Sequence, residues 1–305
     1  MSTSPPTLIV LAGPTASGKT AAAIQLANHF NTVVVSADSR QFYREMSIGT
    51  AKPSLAEQAA APHYFIDSHS ITEPFSVGGF EKQCLQLLAD LFKAHNVVVL
   101  AGGSGLFIKA ITDGFDDLPA ADMATRDKLN DELAQNGINV LQERLRSADP
   151  TYYNEVDLNN PQRIIRALEV YETTGKPFSS YRLATANSRP FNIIRLGLDM
   201  DRATLYNRIN RRVDLMVEEG LIAEVKTLLP YRHLNALNTV GYSEVFDYFD
   251  GKTDLPTAIA AIKQNTRRFA KRQLTWFRKD KEMIWLDAAD DDLIKKMLEA
   301  IGNQH

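Results

Sequence analysis

TLIVLAGPTASGKT, residues 7–20, decides the fold of this chain. The stretch begins with an apolar run of strand length and continues with GPTASGKT (13–20), which matches the pattern G-x-x-x-x-G-K-[ST]. Glycines let the backbone wrap so that successive N–H groups face phosphate oxygens, and the positive end of a following helix strengthens that field. A helical stretch does follow, over 20–30. The stretch therefore predicts a strand, a phosphate-binding loop and a helix.

Two side chains of this loop suit a bound phosphate particularly well. Lys19 is a mobile cation for bridging and terminal oxygens, and Thr20 offers a hydroxyl to Mg²⁺. The candidate phosphate-binding residues are Gly13, Pro14, Thr15, Ala16, Ser17, Gly18, Lys19 and Thr20. Most such loops bind ATP or GTP, so the loop alone does not name the reaction and a kinase is the first alternative.

Strand-like runs alternate with helices outward from this loop. They lie at 32–37, 63–67, 96–101, 192–199 and 282–287. Continuous β-branched runs that alternate with helices are typical of a parallel sheet covered on both faces. We therefore predict an α/β fold, with a P-loop NTPase-like parallel sheet and helices on both of its faces.

Between Gly114 and Arg189 the pattern changes from strands to polar segments with helical periodicity. The clearest are 122–136, 138–147 and 161–175. We predict an all-helical insertion domain in this region. The expected division is a first core part at 1–115, a helical insertion at 116–190, and a return to the core with basic C-terminal helices at 191–305.

Bulk composition excludes several classes of protein. The chain has 305 residues, 44% of them hydrophobic and 23% charged, as expected of a globular protein with a substantial core. No apolar run approaches the roughly 18 residues of a membrane helix, and Met1–Pro6 lacks a signal-peptide pattern. The single cysteine, Cys84, excludes an internal disulfide and a thiolate zinc cluster. We expect a cytoplasmic monomer without a membrane partner.

A local basic stretch lies within a chain whose net charge is −3. Between 263 and 281 there are eight Lys or Arg residues and one acid. On a helix, six of the basic residues fall on one face roughly 140° wide, opposite Phe269, Leu274, Trp276 and Phe277. Such a face could contact RNA phosphates, and the alternative is an ordinary solvated surface.

Two further polar turns are expected beside the phosphate loop. SADSRQFY (36–43) and AGGSGLF (101–107) follow predicted strands, so their side chains should emerge at the carboxyl edge of the sheet. Asp38 is a candidate general base or a turn cap. Ser104 is either a helix N-cap or a hydroxyl aimed into the site. The strand at 96–101 is not followed by a metal-holding Asp, which argues against a kinase.

Seven motifs in this order resemble the tRNA dimethylallyltransferase (tRNA isopentenyltransferase) family of bacterial type, over nearly the whole chain. They are GPTASGKT (13–20), SADSRQ (36–41), IGTAKP (48–53), the Gly-Gly turn at 102–105, NPQRIIRALEVYETTGKP (160–177), TVGYSE (239–244) and TRRFAKRQLTWFRKD (266–280). The chain departs from the family pattern in several places: Ser104 stands where Thr is usual, Phe107 where Tyr is usual and Tyr64 where His is common, and PFSVGGF (74–80) is an unusual form of its segment.

The resemblance implies transfer of the dimethylallyl group from dimethylallyl diphosphate to the exocyclic amine of the adenosine next to the anticodon. The tRNAs would be those that read codons starting with U. It also implies that the phosphate loop holds the prenyl diphosphate with Mg²⁺, and that Asp38, Lys19 and Ser104 form the catalytic group. The implied tRNA-binding residues are Asp38, Ser39, Arg40, Gln41, Ser104, Arg126, Gln162, Arg163, Ile164, Ile165, Arg166, Thr239, Val240, Gly241, Tyr242, Arg268, Lys271, Arg272 and Arg278.

The chemistry fits these residue types. An allylic C–O bond can ionise when backbone N–H groups, Lys19 and Mg²⁺ neutralise the departing diphosphate, and Asp38 can accept the amine proton. Arg208, Arg211 and Arg212 could serve the diphosphate or the tRNA, and we choose Arg212 as a diphosphate contact. We expect the base to be flipped into a pocket between the core and the insertion. The alternatives are a P-loop kinase of a nucleoside or small metabolite, and a nucleotide-gated RNA-binding protein without chemistry of its own.

Overall fold

A parallel sheet forms the centre of the fold in the computed structural model, which describes residues 5–73, 75–114, 118–119, 121–182 and 188–304. The strands of the described chain are β1 (Thr7–Ala12), β2 (Val34–Ser36), β3 (His63–Tyr64), β4 (Val97–Gly102), β5 (Asn192–Asp199) and β6 (Ile284–Asp287). Their spatial order is β3-β2-β4-β1-β5-β6, and every neighbouring pair is parallel. The predicted α/β fold class is confirmed.

Helices make up most of the remaining described chain. They are α1 (Lys19–His29), α2 (Leu55–Ala60), α3 (Val77–Leu91), α4 (Gly105–Thr112), α5 (Met123–Asn136), α6 (Ile138–Ala148), α7 (Pro150–Glu155), α8 (Pro161–Thr174), α9 (Arg202–Glu218), α10 (Leu221–Thr227), α11 (Ser243–Phe249), α12 (Leu255–Phe277) and α13 (Leu293–Gly302). Short 3₁₀ turns lie at Phe178–Tyr181, Leu229–Tyr231 and Asn235–Leu237. Within the described residues, no helix has the length and apolar character needed to cross a membrane.

The central position of β1 follows from its sequence, because all six of its residues are buried. Leu8 and Val10 pack on one face of the sheet with residues of α3 and α4, while Ile9 and Leu11 pack on the other with residues of α1 and α13. Alternate residues of a strand point to opposite faces, so one apolar run supplies both cores. Helices therefore cover both faces, as predicted.

The edge strand β3 is shorter than its sequence predicts. The run at 63–67 was expected to be a buried strand, but only His63 and Tyr64 pair with β2, and neither is buried. Phe65 and Asp67 have φ angles of 59° and 53°. This left-handed conformation is incompatible with an extended strand, so the ladder ends after two residues.

Two compact units divide the chain: Met1–Thr112 with Arg189–His305, and Asp113–Ser188. The predicted boundary between residues 115 and 116 lies outside the described residues. The second unit contains α5 to α8 and, among its described residues, no strand.

Helix α8 supplies much of the apolar core of this second unit. Asn160 caps its N-terminus by accepting from the Arg163 N–H, and Pro161 occupies the first turn. Ile164 and Ile165 are 0% and 1% exposed and pack with α5 and α6. The prediction that these two isoleucines contact tRNA is therefore wrong: the apolar face of the helix carries them into the core.

Candidate active site

Three polar segments meet at one edge of the sheet. They are the phosphate loop (13–18) after β1, the Asp38 turn (37–41) after β2, and the second glycine turn (102–105) after β4. The strands β2, β4 and β1 are neighbours, and parallel strands bring their carboxyl ends to the same edge. A cavity of about 660 Å³ is lined by all three segments and by residues of α9 and α12. The topology thus brings together the three segments that the motifs single out.

The phosphate loop has the backbone conformation of an anion cradle. Gly18 has φ 92°, a left-handed conformation that favours glycine, and Ala16 adopts φ 64°. Ser17 Oγ is buried and, within the described residues, has no hydrogen-bond partner. Ser17 is not one of the cavity-lining residues of this loop, so its hydroxyl is a buried group of the loop and not a ligand contact.

Lys19 and Arg212 place two positive charges beside this loop. Lys19 Nζ donates to the carbonyl of Pro14 at 2.6 Å. Arg212 donates to Thr15 Oγ1 and to the carbonyl of Ala51, each at 3.3 Å. Burial, and secondarily the charge of Arg212, lower the pKa of Lys19 to about 7. Burial likewise lowers the pKa of Arg212. Two partly desolvated basic groups, whose charged forms a nearby anion favours, form a site for an anion with several negative charges.

Asp38 and Ser104 both line the cavity. The Oδ1 atom of Asp38 accepts from the Arg40 N–H at 3.0 Å, so the carboxylate caps its own turn while facing the site. Ser104 Oγ accepts from the Ser39 N–H at 2.9 Å and donates to Ser39 Oγ at 3.1 Å. The Ser104 hydroxyl therefore holds the second glycine turn against the Asp38 turn.

The rest of the Asp38 turn binds neighbouring loops. Gln41 Nε2 donates to the carbonyls of Thr50 and Ala51 at 3.3 and 3.1 Å. The guanidinium of Arg40 donates to the carbonyl of Asn238 at 3.4 Å. Ser39, Arg40 and Gln41 all line the cavity. Their contacts fix the shape of its entrance.

The donor set near Thr20 suits Mg²⁺ that arrives with a phosphate. Thr20 lies in the first turn of α1 and lines the cavity, as Asp38 does. In the part of the chain that the structure describes, no group of three or more His, Cys, Asp or Glu could hold a metal by itself. Mg²⁺ commonly takes one or two protein ligands together with substrate phosphates and water. A hydroxyl and a single carboxylate are in keeping with that preference.

Helix α12 carries the predicted basic face, but its aromatic residues are not all on a buried side. Phe269 and Trp276 are 39% and 40% exposed, whereas Phe277 is buried. Arg272 stacks over the Phe269 ring at 5.7 Å, and both residues line the cavity. Phe269 and Trp276 are partly exposed because this side of α12 faces the cavity and the second glycine turn.

The candidate RNA contacts on α12 and just after it differ in whether a carboxylate of the chain already pairs with them. Arg268, Lys271 and Arg272 are exposed on α12. The helix ends at Phe277, and the guanidinium of the exposed Arg278 pairs with Asp199 at 2.6 Å. Three α12 cations thus remain the best placed for an external polyanion.

The side chain of Tyr242, another predicted tRNA contact, is not accessible to RNA. Its side chain is fully buried, and its hydroxyl donates to Glu224 at 2.6 Å. A Cβ on Gly49 would lie only 2.5 Å from the Tyr242 ring, so the ring is packed on that glycine. Tyr242 is a core residue that supports the loop at 47–51. The neighbouring candidates Thr239, Val240 and Gly241 do line the cavity.

In the second unit, a buried carboxylate engages two predicted RNA contacts. Glu169 is fully buried and pairs with Arg126 and with Arg166, each at 2.6 Å. These arginines therefore neutralise a core charge, which their sequence positions did not indicate. Gln162 and Arg163, at the start of α8, are exposed and stay predicted RNA contacts.

Sequence reasoning missed Gln273, which lies on α12 and lines the cavity. Its Oε1 accepts from the Thr15 N–H, and its Nε2 donates to the Gly103 carbonyl, each at 2.9 Å. The signal that could have found it is an uncharged amide among the cations of KRQLTWFRK (271–279).

These features define a P-loop α/β enzyme whose phosphate site is joined to a basic helix. Comparison with known proteins gives the family. The IPP transferase family matches residues 41–280. A tRNA dimethylallyltransferase of Christiangramia forsetii is 56% identical over 280 residues, which are 92% of this chain and 93% of that protein. One of Cytophaga hutchinsonii is 50% identical over 293 residues, 96% of each chain.

Solved structures agree. A full-length tRNA isopentenylpyrophosphate transferase from Bacillus halodurans matches with a TM-score of 0.73 and 38% identity, covering 98% of this chain and 96% of that one. A eukaryotic dimethylallyltransferase acting on tRNA matches with a TM-score of 0.80 and 27% identity, covering 98% and 79%. The chain belongs to the tRNA dimethylallyltransferase family and is an enzyme of that family.

Proposed function

We propose that this enzyme transfers the dimethylallyl group from dimethylallyl diphosphate to the exocyclic amine of the adenosine next to the anticodon in tRNA. The tRNAs are those that read codons starting with U, and diphosphate is released. Relatives named tRNA dimethylallyltransferase support the two substrates. The carrying observation is one cavity that holds Lys19, Arg212 and Asp38 together.

The phosphate loop stabilises the leaving group. As the allylic C–O bond breaks, negative charge grows on the diphosphate, and the loop N–H groups, Lys19 and Arg212 are already arranged to meet it. Diphosphate binding favours the charged ammonium form of Lys19 over the neutral amine, because an adjacent anion raises the pKa of a lysine. Mg²⁺ held at Thr20 would add further neutralisation of the same oxygens.

Asp38 serves as the general base. An N–C bond forms between the adenine amine and the allylic carbon while the C–O bond breaks, and the surplus proton passes from the nitrogen to the Asp38 carboxylate. Ser104 and the Arg40 N–H hold the Asp38 turn, so the carboxylate is oriented before substrate arrives. The adenine reaches it unstacked from its neighbours, because a base within a stacked loop is inaccessible.

The exposed cations of α12 bind the tRNA backbone. Arg268, Lys271 and Arg272 are on the helix that also lines the cavity, so RNA held there lies beside the reacting groups. Exposed Phe269 and Trp276 offer ring faces to unstacked bases. Because the proposed catalytic groups all line one cavity of a single chain, we further propose that the enzyme works as a monomer. Since its proposed substrate is tRNA, we propose the cytoplasm as the compartment in which it acts.

Phosphoryl transfer fits the site less well. β4 ends at Gly102 and is followed by Gly103 and Ser104, so the metal-holding acid expected of a kinase does not stand at that point. The proteins that match are named for prenyl transfer to tRNA, not for phosphorylation.

Incorporation of label tests the proposal. Purified enzyme, Mg²⁺, radiolabelled dimethylallyl diphosphate and a tRNA reading a UNN codon should give one labelled adenosine, identified by nucleoside analysis. The same tRNA with guanosine at that position is the matched control and should stay unlabelled. Transfer of the γ-phosphate from ATP to a nucleoside, without prenylation of tRNA, would establish the kinase instead.

A further inference from the structure

One side-chain amide, that of Gln273, bridges two of the three segments at the sheet edge. It accepts from the Thr15 N–H of the phosphate loop and donates to the Gly103 carbonyl of the second glycine turn, each at 2.9 Å. The residue is only 7% exposed. Buried hydrogen bonds of this kind hold geometry, because breaking one leaves a polar group without solvent to replace its partner. The amide therefore sets the distance between the two segments.

The second glycine turn is shaped to receive α12 at two points one helical turn apart. A Cβ on Gly103 would lie 2.3 Å from Gln273 Nε2, and a Cβ on Gly105 would lie 2.1 Å from Trp276 Cδ1. Only glycine allows the helix this close at both places. A shift of α12 along its axis would therefore displace the second glycine turn directly.

Both partners of Gln273 lead on to groups of the proposed reaction. Thr15 accepts through its hydroxyl from Arg212, so its position also sets that of the cation. Gly103 precedes Ser104, whose hydroxyl holds Ser39 beside Asp38. One amide thus relates the diphosphate contacts to the general base.

The same stretch of α12 carries the exposed Arg268, Lys271 and Arg272. Lys271 and Arg272 immediately precede Gln273 in the chain. We propose that Gln273 is a positioning residue that couples RNA binding on α12 to the geometry of the diphosphate site. This inference rests on the proposed function, because tRNA is the ligand that α12 binds there.

Gln273→Met tests the coupling, since methionine has nearly the same length but forms neither hydrogen bond. Inorganic pyrophosphate with Mg²⁺ is titrated with and without a saturating anticodon stem-loop RNA. In the unaltered enzyme, RNA should tighten pyrophosphate binding about fivefold or more, a usual size for coupled sites. In the variant that factor should fall towards one, while each ligand alone binds with little change.

Turnover provides a second readout. With both substrates saturating, single-turnover transfer by Gln273→Met should fall on the order of 100-fold, as expected when reacting groups are displaced by about 1 Å. The KM values should change much less. If Gln273 had only a structural role, Gln273→Met would lower the melting temperature but would not reduce kcat much more than it changes KM.

Two further variants keep the test decisive. Gln264→Met removes an exposed amide from the same helix and should leave coupling and turnover unaltered. Gly103→Ala displaces the Gln273 amide without changing α12, and it replaces Gln273→Met if that variant does not fold. The combined Gln273→Met, Gly103→Ala variant should lose little more than either alone, because both remove the same contact.

The outcomes separate the coupling from the proposed function. Independent binding of RNA and pyrophosphate by an enzyme that prenylates tRNA overturns the coupling alone. So does unaltered coupling in folded Gln273→Met. An unaltered enzyme that neither binds the RNA nor transfers label overturns the proposed function, and the coupling with it.

Discussion

Lys19 is a lysine whose ordinary charge is weakened by its surroundings. Folding lowers its pKa from 10.5 to about 7, chiefly through burial. Between these two values the unfolded chain binds the proton and the folded chain does not, so the free energy of unfolding rises with pH across this window. Below pH 7 the cost of holding a buried ammonium is present in full.

Lys19→Met should therefore stabilise the enzyme without ligand, most of all near pH 6, and the gain should shrink as pH rises towards 10. Turnover should fall on the order of 10²–10³-fold, because a charge that meets the leaving group is gone. Melting temperatures of both proteins at pH 6 and pH 9, measured without substrate, check the first part. An equal difference at both pH values would show that Lys19 is charged in the free enzyme throughout this range.

Asp38→Asn keeps the size of the side chain and the oxygen that accepts from the Arg40 N–H, but it cannot take a proton. Single-turnover transfer with both substrates saturating should slow by about 10²–10⁴-fold, the usual worth of a positioned base. Asp291→Asn, on the exposed surface, is the matched control and should leave the rate unaltered. A rate for Asp38→Asn within a few-fold of normal would leave Asp38 as a turn cap and send the proton elsewhere, for example to the diphosphate.

Among the elements, α12 combines three roles that usually belong to separate segments. Arg268 and Lys271 are exposed, Phe269 and Arg272 line the cavity, and Gln273 reaches the phosphate loop and the second glycine turn. A 23-residue helix can do this because residues at successive turns share a face while the flanking faces point elsewhere. The element therefore joins a binding surface to a reaction site without a separate linker.

Charge reversal on α12 should weaken tRNA binding through lost phosphate contacts. Arg268→Glu and Arg272→Glu, made singly, should each reduce affinity similarly for different tRNAs and flatten the dependence of log K on log salt by about one unit or more. Lys295→Glu, an exposed cation on α13, changes the net charge equally and is the control. Titrations at several salt concentrations provide the slopes. Unaltered affinity at low salt in both variants would return these arginines to an ordinary solvated surface.

Across the whole molecule, each of the two units has an apolar core of its own, and the second also buries a charge. Glu169 is fully buried, pairs with Arg126 and Arg166, and accepts from the Asp122 N–H. This carboxylate joins α5 to α8 within the unit.

Glu169→Gln should destabilise the second unit, because two guanidinium groups lose their counter-ion. The expected loss in free energy of unfolding is about 3 kcal/mol, the lower end for breaking a buried ion pair, since both arginines are partly exposed. Hydrogen exchange of α8 amides in the full chain measures this locally. Glu143→Gln breaks an exposed pair with Arg146 and should cost much less. Equal protection of α8 in both variants would contradict the structural role of Glu169.

The sequence by itself determined the features that depend on neighbouring residues. A strand, a glycine-rich turn and a helix follow one another in residues 7–30, and the order of apolar, glycine and helix-forming residues within these segments predicts them. The carboxyl-edge position of Asp38 and Ser104 followed as well, because parallel strands bring their ends together. The short apolar run at 63–67 predicted the strand but not its length, because two positive φ angles end the strand early.

Only the tertiary structure decided which side chains meet across the chain. Thr15 and Gln273 are separated by 258 positions, and Thr15 and Arg212 by 197. Helical periodicity gives the direction of Phe269 on α12 but does not apply to Tyr242, which lies in the turn before α11, and the burial of both depends on what packs against them. Gly49 receives the Tyr242 ring and hides it, while the cavity beside α12 leaves Phe269 exposed. The physical reason is that burial belongs to the packed assembly of distant segments, whereas the sequence pattern describes one segment at a time.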